Sequence, residues 1–138
     1  MNLFIHDADV KLVVDEDLDT NILIFVSESN HLSIQVCIYL EDDPLLNEPY
    51  LEYNNQGNAQ YGGIKKITLH SSSVEIMFVE SNLFMRIYSN ITIYTKLPIG
   101  RELVEFLINC LFLSNLIIYG NDFDLSNVVK QTSTRERL

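Results

Sequence analysis

Basic residues are almost missing from the first part of this chain. Residues 1–55 carry twelve acids and the single base Lys11, a balance of −11, whereas residues 56–138 carry seven acids and eight bases, or +1. The formal net charge of −10 therefore belongs to the first half. Such a surface repels a phosphate backbone and attracts a basic partner, and it also serves solubility. Cysteine is scarce too: Cys37 and Cys110 lie far apart, each inside an apolar periodic run. Two buried thiols in a reducing compartment are expected, and the lack of a Cys-x-x-Cys pair removes the common zinc and redox motifs. No run of about twenty apolar residues occurs. The most apolar stretch, 103–119, is short and interrupted by Glu105, Asn109 and Asn115. The first twenty residues hold six acids and lack the basic start of a secretory signal, so a cytoplasmic protein without a membrane segment is expected.

What the chain has in quantity is apolar residues, 47% of 138, spread along its length. That suits one domain, expected over residues 1–125, with a polar and finally basic tail over 126–138 left free. Strand signals dominate. In residues 31–41, Leu32, Ile34, Val36, Ile38 and Leu40 alternate with polar neighbours, and residues 21–27 are apolar on both parities, as in a central strand covered on both sides. Four short runs follow at 64–70, 74–79, 83–88 and 91–95, separated by hairpin-sized Ser/Asn spacers that leave no room for crossover helices. One helix is expected over 99–113, because Leu103, Phe106, Leu107, Cys110 and Leu111 fall at i, i+3, i+4, i+7 and i+8. A last strand is expected at 116–119. The fold class is therefore α+β: a mainly antiparallel sheet of about six to nine strands in a meander of hairpins, with one long helix packed on one face.

No catalytic set emerges. Asp15-Glu16-Asp17-Leu18-Asp19 resembles the start of a calcium loop, but Thr20 stands where the turn glycine belongs and Val26 where the closing glutamate belongs. The alternatives are a solvated acidic turn between two strands or a partner-facing patch. His6, His31 and His70 lack metal-ligand spacing and read as strand-edge residues. Ser71, Ser72 and Ser73 lack a glycine-flanked nucleophile elbow. No metal or cofactor is expected. The segment 41–64 differs in kind. Glu41, Asp42, Asp43 and Glu48 beside Pro44 and Pro49 make it acidic and stiff, and Tyr50, Tyr53 and Tyr61 bracket Asn54, Asn55, Gln56, Asn58 and Gln60. Tyrosine among adaptable amides suits protein recognition, while an ordinary long loop closing the core edge accounts for the same residues.

Pro49-Tyr50-Leu51-Glu52-Tyr53-Asn54-Asn55-Gln56, then Tyr61-Gly62-Gly63-Ile64, two alternating strands and the late Leu103-x-x-Phe106-Leu107 helix resemble immunity protein family ten of bacterial polymorphic toxin systems. The likeness spans residues 21–119, and the positions matching its central segment are Tyr50, Glu52, Gln56, Tyr61 and Gly62. It implies a non-enzymatic cytoplasmic antidote that binds and neutralises a cognate toxin domain, a basic nuclease being one candidate. The residues expected to meet that partner are Asp15, Glu16, Asp17, Asp19, Glu41, Asp42 and Asp43, with Tyr53, Gln56 and Tyr61. Two other classes stand beside this one: an acidic mimic of nucleic acid that blocks a DNA- or RNA-binding protein, and a small enzyme whose pocket joins residues distant in sequence.

Overall fold

Eleven strands and a single α-helix make up the computed structural model, which describes residues 1–137. In chain order the elements are β1 (Asn2–Asp15), β2 (Thr20–Val26), β3 (His31–Cys37), β4 (Tyr39–Leu40), β5 (Tyr50–Tyr53) and β6 (Asn55–Tyr61). There follow β7 (Ile64–Leu69), β8 (Ser73–Phe78), β9 (Asn90–Thr95), α1 (Arg101–Asn109), β10 (Ile117–Tyr119) and β11 (Glu136–Arg137). Nine strands form one sheet in the order β10-β7-β8-β9-β1-β2-β3-β5-β6, and β4 pairs apart with β11. The architecture is α+β with a mixed sheet. Most neighbours are antiparallel, but β9 runs parallel to β1 and β10 parallel to β7.

β1 joins the two halves of the sheet, and its pattern changes phase midway. Ile5 and Ala8 are both buried although they stand three positions apart, an odd spacing, because Asp7 takes φ of 52° and forms a bulge. A bulge inserts one residue and flips the parity beyond it, which is why no simple alternation marks this strand. β2 was expected to be covered on both sides. Instead Leu23 and Phe25 are fully buried while Ile22, Ile24 and Val26 are half-buried, so only one face belongs to the core.

Three further expectations are corrected. Residues 41–64 are not a long loop: a 3-10 turn at Pro44–Asn47 leads into the β5–β6 hairpin, which turns at Asn54 with φ of 66°. Residues 83–88 are not a strand. Met85 and Arg86 adopt left-handed φ of 53° and 67°, and the tight excursion drives Phe84 into the core, stacked on Phe78 at 5.4 Å. The helix is shorter than 99–113. Its backbone leaves the helical path after Asn109, Phe112 has φ of 55°, and Gly100 caps the start. Leu103, Val104, Phe106, Leu107 and Ile108 are buried in the same cluster as the sheet's Ile5, Leu23, Ile34 and Ile93. Neither cysteine is fully buried. No helix among the described residues is long and apolar enough to cross a membrane.

The tail expected to hang free is tied down at several points. Asn109 Oδ1 accepts the N–H groups of Thr132 (2.7 Å) and Ser133 (3.2 Å), and Ser133 Oγ donates to the Asn109 carbonyl at 2.8 Å. Arg135 then lies 6.0 Å from the centre of the Phe112 ring and donates to the Asn47 carbonyl at 2.7 Å. Beyond it β11 adds to β4. A helix end lacking a glycine stop leaves carbonyls to satisfy, and this polar segment supplies donors for them. Asn109→Ala removes two acceptor contacts at once and should lower stability by about 1–3 kcal/mol, measured by urea denaturation. It should also speed protease cleavage after residue 128, and unchanged values for both would show that the strap contributes nothing.

Candidate functional site

The hairpin β1–β2 ends in the acidic turn, and the geometry there follows from its residues. Asp15 Oδ1 accepts the Leu18 N–H at 3.2 Å, and Asp19 takes φ of 48°, a conformation asparagine and aspartate tolerate better than most residues. Glu16, Asp17 and Asp19 are exposed. The turn is therefore a solvent-exposed link between two strands, which leaves its acids accessible. Its Asp19 carbonyl accepts the Ile38 N–H at 2.7 Å, and Thr20 pairs with Cys37, so the chain leaving β3 starts its next loop beside the turn. That loop carries Glu41, Asp42 and Asp43, all exposed. Asn47 bridges the Glu41 backbone on both sides (2.6 and 2.9 Å), and Asp43 caps the 3-10 turn through the Leu45 N–H at 3.0 Å. Two acidic stretches twenty residues or more apart in sequence thus share one end of the sheet.

Apolar groups stand among these acids. Leu18, at the tip of the turn, is 70% exposed, and Leu45 in the second stretch is 54% exposed. Opposite charge comes from the chain itself: Arg137 reaches Asp42 at 3.0 Å, an exposed pair of small energetic weight. The Arg135 guanidinium is partly enclosed, and desolvation pulls its pKa down against the opposing pull of Cys37, Glu41 and Glu48.

Next to this end, on the sheet face opposite Leu32, Ile34 and Val36, runs a polar row. Gln35 pairs with Tyr50 and Tyr50 with Tyr61, whose ring lies 5.0 Å away. Tyr50 Oη donates to Glu52 at 3.0 Å, and desolvation, then that bond and the charge of Glu52, raise the phenol's pKa. With Glu48, Gln56 and Tyr61 these residues line a depression of 440 Å³. Gln56 and Tyr61 are therefore gathered with the acidic end, as is Glu52. Tyr53 is not. It sits on the core side at the far end of β5, where its hydroxyl and the Asn54 amide both donate to Asn30 Oδ1, at 3.0 and 3.1 Å. Tyr53 closes the core edge. Gln35, Tyr50 and Glu48 were missing from the expected contacts, although the alternation of residues 31–41 already put Gln35 on the wet face.

A second polar cluster lies elsewhere. Asp122 accepts from the Ser71 N–H (3.2 Å), Ser71 Oγ (3.0 Å) and His70 Nδ1 (3.1 Å), with Glu75 3.5 Å from His70 Nε2. The serine bonds to the carboxylate and not to the imidazole, so this is no nucleophile with its base. It clamps the β7–β8 turn to the chain after β10. Those hydrogen bonds, the Ser71 N–H first, hold the Asp122 carboxyl below its ordinary pKa. A lowered folded pKa adds stability above the unfolded value and loses it as pH falls through the folded one. Asp122→Asn should accordingly lower Tm at pH 7, and the deficit should vanish in acid below the usual aspartate range. A deficit that persists there would point to packing instead.

Among the described residues no group of three or more His, Cys, Asp or Glu side chains is placed to hold a metal ion. Comparison with protein-family models, with curated proteins and with solved structures found no match to this chain.

Proposed function

We propose that this chain is a cytoplasmic immunity protein that binds and neutralises a cognate toxin domain without catalysis. The observation that carries the reading is the meeting of the 15–19 turn and the 41–48 loop at one sheet end, acids set around exposed Leu18 and Leu45. Recognition surfaces combine apolar anchors with a polar rim, and a carboxylate rim selects a basic partner. The tyrosine row Tyr50–Tyr61 continues the surface with large, rigid side chains of low ordering entropy. In this reading the sheet is two runs of hairpins meeting at β1, and α1 shares the core with residues of both, Ile34 and Leu51 among them. The opposite face and the acidic end remain for the partner. The test is co-expression with the toxin encoded beside this gene: growth should be rescued and a complex recovered. Absence of rescue with a folded, expressed protein would overturn the proposal.

A further inference from the structure

β1 is bound on one side only through its first half. Asn2 to Ile5 and Ala8 pair with β9, whereas β2 reaches the other edge no earlier than Asp9, opposite Val26. Beyond Val26 the chain turns away, the Ser27 N–H donating to the Asn30 carbonyl at 2.8 Å to begin the return into β3. Among the described residues no hydrogen bond reaches the β2-side edge of residues 2–7. A groove of 650 Å³ runs beside it, between Phe4 and His6 on one flank and the 27–30 turn on the other.

The groove's chemistry names its occupant. Phe4, His6 and Tyr94 stand in file, with centroids 6.5 and 4.9 Å apart and planes inclined by 21° and 8°. Phe4 is 49% exposed and Tyr94 41%. Around them Asp7, Asp9 and Glu28 face one base, Lys96, which is already tied to Asp9 at 3.2 Å. An open strand edge is a template for another chain, and exposed aromatic faces attract cations. A second copy of this chain would set one net charge of −10 against another. We infer that the edge of residues 2–6 is a docking site for an extended basic segment of a partner protein. The segment adds as an antiparallel strand in line with β2, its alternate basic side chains lying over the Phe4–His6–Tyr94 file. Main-chain bonds supply affinity and the aromatic and acidic flanks supply selection. This groove adjoins the Val26 end of β2, away from the acidic turn at Thr20, and it does not depend on the partner being a toxin.

Synthetic peptides of roughly seven residues, long enough to span this edge, test the proposal on the full chain. One alternates lysine with valine, a second is the same peptide N-methylated at alternate amides, and a third replaces lysine by glutamate. In an amide-resolved NMR titration at low salt, the first should shift and protect the amides of residues 2–7. The N-methylated peptide should bind roughly tenfold more weakly, because it keeps the charge and loses the ladder. The glutamate peptide should not bind, and Phe4→Ser should weaken the lysine peptide severalfold while Glu16→Lys leaves its shifts on residues 2–7. Equal affinity for the N-methylated peptide would overturn strand addition, as would shifts centred on residues 15–19. Self-association protecting residues 2–6 would overturn the basic occupant in favour of a second copy.

Discussion

Leu107→Asp should leave no cooperatively folded protein at 25 °C. Leu107 is 1% exposed on the inner stripe of α1, within the cluster that also holds Leu23, Phe25 and Ile93. An aspartate there has no cation within the core, and burying it unpaired costs several kcal/mol beyond the lost leucine contacts. The stability of a domain this size is about 5–15 kcal/mol, so one such substitution consumes a large part of it. α1 is only nine residues long, too short to persist in water without its packing. Loss of the near-ultraviolet circular dichroism and of the thermal transition is the expected reading. Leu107→Met, which keeps the volume, should cost less than about 1.5 kcal/mol. An aspartate variant that melts like the parent would place Leu107 at the surface.

The helix stripe and the strands β3, β8 and β9 were legible because each keeps one phase of alternation or one 3.6-residue spacing throughout, and β7 does so from Lys66 on, past its register shift after Ile64. Where phase breaks, legibility ends. β1 was not assigned because the bulge at Asp7 shifts its inward residues by one. β6 was missed for the opposite reason: Asn55, Gln56, Gly57 and Asn58 show no alternation, and they stand in a strand because β5 offers them a ladder. Residues 83–88 carry enough apolar side chains to look like a strand, yet Phe84 is the one the core takes. The parallel joins of β9 with β1 and of β10 with β7 link segments far apart in the chain. Short spacers specify only the hairpins on either side of them.

The candidate site was legible by composition and not by position. The acids at 15–19 and 41–43 stood out, but their meeting depends on the Thr20–Cys37 register, a long-range fact. Among the three tyrosines expected or implied there, parity separates Tyr50 and Tyr61 from Tyr53: the first two lie across from each other on the wet face, and Tyr53 pairs with core Leu32. The tail over 126–138 was expected to hang free, since nothing local to it shows that Asn109, Asn47 and β4 supply partners.

Glu16→Lys combined with Asp17→Lys should slow association with the basic partner proposed for the acidic end without unfolding this protein. Both side chains are exposed and neither makes a hydrogen bond within the described chain, whereas Asp15 is left intact because its carboxylate closes the turn through Leu18. The change moves the local charge by four units at the tip of the acidic end. Attraction at encounter acts over about a Debye length, roughly 10 Å at 0.1 M salt, so the loss should be greatest in dilute buffer. A fall of roughly ten- to a hundredfold in association rate at low salt, shrinking as salt is added, is the expected pattern, with dissociation changed little. Tyr61→Ala should do the reverse. Its ring lies against Tyr50 in the lining of the polar depression, so truncation removes contact area and should speed release by about tenfold while leaving encounter intact. Stopped-flow or surface-binding kinetics across a salt series separates the two effects. Rates indifferent to salt and to the lysine pair would remove the acidic end from the interface. An unchanged release rate in Tyr61→Ala would remove the tyrosine row.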